Sequence, residues 1–146
     1  MNALAQSRIE QLLDRQIRVA QALAAVLAAE RDALTGDSPA AVSEQAAQKV
    51  RLLEEFEQLE SERRRLCDES GLPATPGIAQ AISQRWRSLM ALLATCRNAN
   101  ETNGLILNLK QGQVRQLLDI LRGGPAITYG PQGQTFASAI RPLARV

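Results

Sequence analysis

Three asparagines and a glycine, Asn98, Asn100, Asn103 and Gly104, fall in the stretch CRNANETNGLIL (Cys96–Leu107), whose flanks read as one long amphipathic helix. Amide side chains hold other groups by donating and accepting hydrogen bonds; they do not make or break bonds. Asn is a mediocre helix former because its amide competes for nearby backbone groups, and an interior Gly costs about 1 kcal/mol against Ala. A helix running through this stretch therefore needs compensation from elsewhere in the fold.

Other residues with chemical potential are few. The chain has no His, which removes the commonest general base and the commonest transition-metal ligand together, and enzymatic readings lose most of their weight. Cys67 and Cys96 lie far apart, each on an apolar helical stripe. They are expected to be reduced core thiols, not a CxxC metal site or a disulfide framework. The basic run ERRRL (Glu62–Leu66) is hemmed by Glu54, Glu55, Glu57, Glu60, Asp68 and Glu69. Glu60 and Arg64 form a favourable i,i+4 pair, so the run reads as a solvated helix face. With a net charge of +2 and no uncompensated basic surface, no nucleic-acid partner is expected. GPQG in the tail is not a phosphate loop, and no cofactor is expected.

The elements that carry these residues are helical. Hydrophobic residues make up 45% of 146 residues but aromatics only 3%, a Leu- and Ala-rich balance that favours helices over strands. A single all-α domain is expected, with a helical bundle over 1–124 and a tail over 125–146. From Leu4 to Leu34, apolar residues recur by sevens: Leu13, Ala20, Leu27 and Leu34 on one row, Leu12, Val19 and Val26 on the next. TGDSPA from Thr35 supplies a Gly after this helix, then Ser38 as N-cap and Pro39 at the first helical position of the second. The second helix, Pro39–Ser70, has Val42, Ala46, Leu53 and Phe56 on its apolar side, with Leu52, Leu59 and Leu66 spaced by sevens. GLPATPG (Gly71–Gly77) cannot continue a helix.

The third segment, Ile78–Arg122, ends at GGP. Its seam has two rows: Ile82, Leu89, Cys96, Asn103, Lys110, Leu117, and Trp86, Leu93, Asn100, Leu107, Val114, Leu121. Asn100 and Asn103 are thus in phase with apolar residues and are expected to form a polar layer in the core. Either buried amides fix helix register at a cost in stability, or Asn103-Gly104 is a turn that divides the segment and makes a four-helix bundle. The retained phase favours a continuous helix. Beyond Gly104, Leu105, Ile106, Leu109 and Ile120 lie off the main seam and require a cover. In the tail, Phe136, Ala139, Ile140 and Leu143 have the spacing of a short amphipathic helix that folds back or docks on a partner. The longest apolar run, from Ala22, is too short to span a bilayer, and the N-terminus has no signal-peptide pattern. A cytoplasmic protein without membrane insertion is expected.

With these segments in hand, the sequence resembles the FlgN-like flagellar type III export chaperones. The likeness is carried by ERDAL closing the first helix, Lys49 followed by LLEEFEQLESERRRL, a Trp early in the third helix, the N-x-x-N-G pattern at Asn100, Asn103 and Gly104, and TYGPQG beyond it. The resemblance implies a small cytoplasmic helical protein without catalytic activity. It would bind the C-terminal helical region of hook–filament junction proteins, prevent premature assembly, and deliver them to the flagellar export gate and its ATPase complex. It also implies that the C-terminal part carries the substrate and gate contacts, which puts Tyr129 and Gly130 forward. The partner-binding candidates are therefore Leu105, Ile106, Leu109, Ile120, Tyr129, Gly130, Phe136 and Ile140. A coiled-coil adaptor that only scaffolds would show the same sevens, and a DNA-linked regulator would need the Arg63–Arg65 cluster to act.

Overall fold

The computed structural model describes residues 3–36, 38–71 and 80–123. They form three helices, α1 (Ala3–Thr35), α2 (Pro39–Ser70) and α3 (Gln80–Leu121), with no strand among the described residues. The fold is all-α. The Ser38 hydroxyl accepts from the Ala41 amide at 3.4 Å and Pro39 opens α2. Gly71 closes α2 in the left-handed region at φ 74°, its N–H directed at the carbonyls of Asp68 and Cys67, a cap that only Gly adopts without strain. Gly123, at φ 76°, closes α3 in the same way.

The helices run up, down and up, so α1 and α3 are parallel. Cys96 Sγ donates to the Ala20 carbonyl, and Asn103 Nδ2 donates to the Leu27 carbonyl at 2.8 Å, both across a separation of 76 residues. One register thus runs along the whole α1–α3 seam. The two rows of α1 predicted from sequence are buried throughout, and with Leu89, Ile82 and Cys96 of α3 and Leu59 and Cys67 of α2 they make the apolar core. Burial pushes both thiols above their ordinary pKa, which keeps them protonated and inert.

The helices are not equivalent. α1 packs closely on both neighbours, whereas α2 and α3 meet only loosely. Where they do meet, long side chains span the gap. Lys49 of α2, 3% exposed, donates to Glu30 Oε1 and Oε2 of α1 at 3.1 and 3.0 Å and to Asn100 Oδ1 of α3 at 3.0 Å. Asn103 Nδ2 donates a second bond to Glu30 Oε1 at 2.9 Å, and Asn103 Oδ1 accepts from Arg31 Nε at 3.1 Å. One carboxylate, one ammonium and two amides therefore tie all three helices at one level. These bonds compensate the helix for its asparagines. α3 continues through Asn103 and Gly104, and the turn alternative is overturned, because the Asn103 amide is occupied by α1 and does not compete for its own helix backbone.

Removing one member of a buried ion pair strands the other without water. We expect Lys49→Met to lower unfolding stability by about 3–5 kcal/mol. Replacing Asn100 and Asn103 together by Leu should cost about 1–3 kcal/mol through unsatisfied groups on Lys49 and Glu30. Urea unfolding followed by circular dichroism checks both, and a gain in stability for the double Leu variant would show that the ion pair does not depend on the amides.

Candidate functional site

Two apolar surfaces lie open. The first follows from helix length. The 76-residue register sets Thr35, the last residue of α1, level with position 111 of α3, yet α3 continues to Leu121, roughly 15 Å further at 1.5 Å per residue. The projecting end has no helix beside it among the described residues. Val114, Leu117, Leu118, Ile120 and Leu121 are accordingly exposed, Leu121 at 81%; Leu105 and Leu109, level with the end of α1 but turned away from it, are exposed too, Leu109 at 69%, while Ile106 is half-buried. This corrects the two seam rows read for the third helix: Ile82, Leu89, Cys96, Asn100 and Asn103 are buried, Trp86, Leu93, Leu107 and Lys110 are half-buried, and Val114, Leu117 and Leu121 face outward because α1 has ended. At the root of the projection, Ala33, Leu34, Pro39, Val42, Leu107 and Lys110 line a cleft of about 340 Å³, which continues the apolar face down to the α1–α2 turn. Of the candidate binding residues, Leu105, Ile106, Leu109 and Ile120 therefore share the C-terminal half of one helix, Ile120 on its projecting end and the other three beside the last turns of α1. Tyr129, Gly130, Phe136 and Ile140 lie outside the described residues.

The second surface is the gap between α2 and α3. A groove of about 530 Å³ runs there, with Leu53, Phe56, Trp86 and Leu93 as walls, Leu89 at its floor and Met90 at its lip. Its lower end is closed by a second polar node. Arg63 is 1% exposed and its guanidinium lies 4.8 Å from the centre of the Trp86 ring, a cation–π contact that desolvation strengthens. The same side chain binds Glu60, which also accepts from Gln16 Nε2 at 2.8 Å and from Arg64 Nε at 2.9 Å. Arg63 thus departs from the solvated face expected of ERRRL, because a guanidinium long enough to reach α3 fills the space that α2 leaves. Burial raises the Glu60 pKa, but the hydrogen bonds from Arg63 and Gln16 and the Arg63 charge outweigh it, and the carboxyl titrates below its ordinary value.

The residues that sequence reading missed, Gln16, Glu30, Lys49 and Arg63, all carried a signal. Ile9, Gln16, Leu23 and Glu30 repeat by sevens, as do Val42, Lys49, Phe56 and Arg63; each of the four polar residues is in phase with an apolar row, and that phase, not polarity, was the signal of its burial.

This is an all-α bundle whose open apolar surfaces are of the kind that take another helix. The chain matches the family model described as FlgN protein over residues 1–136, and it belongs to the FlgN family of flagellar export chaperones. Neither the curated proteins nor the solved structures give a significant match. Among the described residues, no helix is long and apolar enough to cross a membrane.

A carboxyl whose folded pKa is depressed stabilises the fold above its unfolded value and loses that contribution as pH falls through the folded one. The difference in melting temperature between the wild type and Glu60→Gln should therefore be largest at neutral pH and shrink as pH drops from 4.5 through the lowered value. A difference independent of pH would mean that the Glu60 charge does not stabilise the second node.

Proposed function

We propose that this chaperone acts in the cytoplasm and binds the C-terminal helical region of hook–filament junction proteins, using the projecting end of α3 together with the tail over 125–146, and that it passes them to the export gate and its ATPase complex. The observation that carries the reading is the run of exposed Leu, Ile and Val side chains between Leu105 and Leu121. Isolated exposed apolar residues are ordinary, whereas seven within seventeen residues of one helix are a concentration that marks an interaction surface. An amphipathic client helix laid along it buries its own apolar stripe, which would otherwise promote early assembly. No bond is made or broken and no nucleotide is required.

The area fits the task. A standard interface buries about 1,600 Å² in total, which four or five turns of α3 plus the tail can supply. Tyr129 adds an aromatic with a polar handle shortly beyond the helix in sequence, a residue type common among energetic anchors.

Truncation after Gly124 should leave a cooperative bundle, since the polar node and the buried seams lie upstream. It should weaken binding to the C-terminal segment of a junction protein by at least about 2 kcal/mol, and Tyr129→Ala alone should reproduce much of that loss. Leu109→Asp with Ile120→Asp should do the same without unfolding the bundle, because both side chains are exposed. Isothermal titration with the client segment reads each case. Unchanged affinity in all three would place the client elsewhere, while a truncated chain that aggregates or melts early would mean that the tail serves to cover α3.

A further inference from the structure

The C-terminal half of α3 is apolar on two sides. Val114, Leu117, Leu118 and Leu121 continue the rows that are buried further down the helix, whereas Leu105 and Leu109 are turned away from α1. Leu105 and Val114, nine residues apart, lie on opposite sides, because a helix turns about 100° per residue. Gly112 belongs with the leucines, seven residues after Leu105 and three after Leu109.

Nothing in the described fold asks for a glycine at this position. Gly112 stands in mid-helix, nine residues before Leu121, and only Gly71 and Gly123 have the positive φ that favours glycine. A Cβ built on Gly112 would meet nothing within 4 Å. Ala would therefore fit, and it would strengthen the helix, since an interior glycine weakens one. The bundle carries that weakness without using it for its own packing.

We propose that Gly112 is the floor of a hole that receives one large apolar side chain, Phe, Met or Leu, from the client helix, which crosses α3 there on the side turned away from α1; this assignment rests on the client surface proposed above. Where helices pack, a side chain of one inserts among four residues of the other, spaced i, i+3, i+4 and i+7. Leu105, Asn108, Leu109 and Gly112 have that spacing. The two exposed leucines are apolar walls, and the corner at Gly112 is empty, so the hole reaches down to the helix backbone. A residue of ordinary size at 112 would leave room only for a small side chain. Leu105 and Leu109 also open the run of exposed apolar residues that ends at Leu121. The hole is thus continuous with the client surface, and a helix laid on that surface covers it.

Gly112→Ala and Gly112→Leu in the full-length chain separate folding from binding. Gly112→Ala should raise the melting temperature by about 2–4 °C, because the helix gains and no atom is struck. Titration with the C-terminal segment of a junction protein should nevertheless show a graded loss, about fivefold in Kd for the Ala variant and at least about thirtyfold for the Leu variant. Ala scanning of the segment should find one large apolar residue coupled to position 112. Its truncation weakens binding to the wild type and leaves binding to Gly112→Leu unchanged or tighter.

Unchanged affinity in Gly112→Leu, beside a loss in the Leu109→Asp, Ile120→Asp variant, would overturn the hole and leave the client surface standing. Unchanged affinity in both would overturn both. Equal losses in the Ala and Leu variants would mean that the glycine acts by letting the helix bend, and a segment with no coupled residue would mean that the client does not enter the hole. A melting temperature lowered by Gly112→Ala would put part of this chain there, and a mass that grows with concentration and reverts in Gly112→Leu would put a second copy there. Each of these results overturns the proposal.

Discussion

The buried contact between Lys49 and Glu30 is the constraint on which the bundle depends. An ammonium and a carboxylate removed from water cost several kcal/mol each, and their attraction offsets this only when every remaining donor and lone pair finds a partner of good geometry. Here the three protons of Lys49 reach Glu30 Oε1, Glu30 Oε2 and Asn100 Oδ1, and Asn103 completes Glu30, so both charges are satisfied while the Asn100 Nδ2 donor alone is left without a partner. The arrangement is met at a single helix register. A slip of one turn on any helix would leave a charge buried and alone, a cost far above that of shifting one Leu past another. Leu- and Ala-rich seams that repeat by sevens do not by themselves define register, and this node does.

The node also explains the shape. α2 is the most polar of the helices, and its buried positions are Lys49, Leu59, Arg63 and Cys67; it contributes reach more than apolar area. Lys49 and Arg63 bridge to α3 at two levels and hold the helices apart between them, which leaves the α2–α3 groove open. α1, with apolar rows facing both neighbours, forms the axis of the structure. α3 exceeds it in length, and the excess becomes the projecting apolar end.

A client-binding protein gains from this division. Register and stability reside within the length of α1, where the polar nodes lie. The apolar end of α3 is displayed beyond them, so a partner helix can come and go there without disturbing the core. Leu105, Leu109, Val114, Leu117, Leu118, Ile120 and Leu121 stay exposed, as expected of a surface meant for another chain.

Most of the architecture was legible in the sequence. Helix limits followed from Ser38, Pro39, Gly71 and Gly123, because capping and left-handed turns are local chemistry. The rows by sevens in α1 followed from periodicity, and the in-phase positions of Asn100 and Asn103 pointed to a polar layer. What sequence could not supply were the partners. Lys49 had the phase of a core residue, but its role depends on Glu30 and Asn100, 19 and 51 residues away. Arg63 looked solvated because its neighbours in sequence are charged, and it is buried because Trp86 stands opposite. The same limit applies to α3: its second half repeats by sevens like the first, and only the packed structure shows that α1 ends before it does. Periodicity records which face of a helix is apolar. Whether that face is covered depends on how far the neighbouring helix extends, and that is decided by tertiary packing.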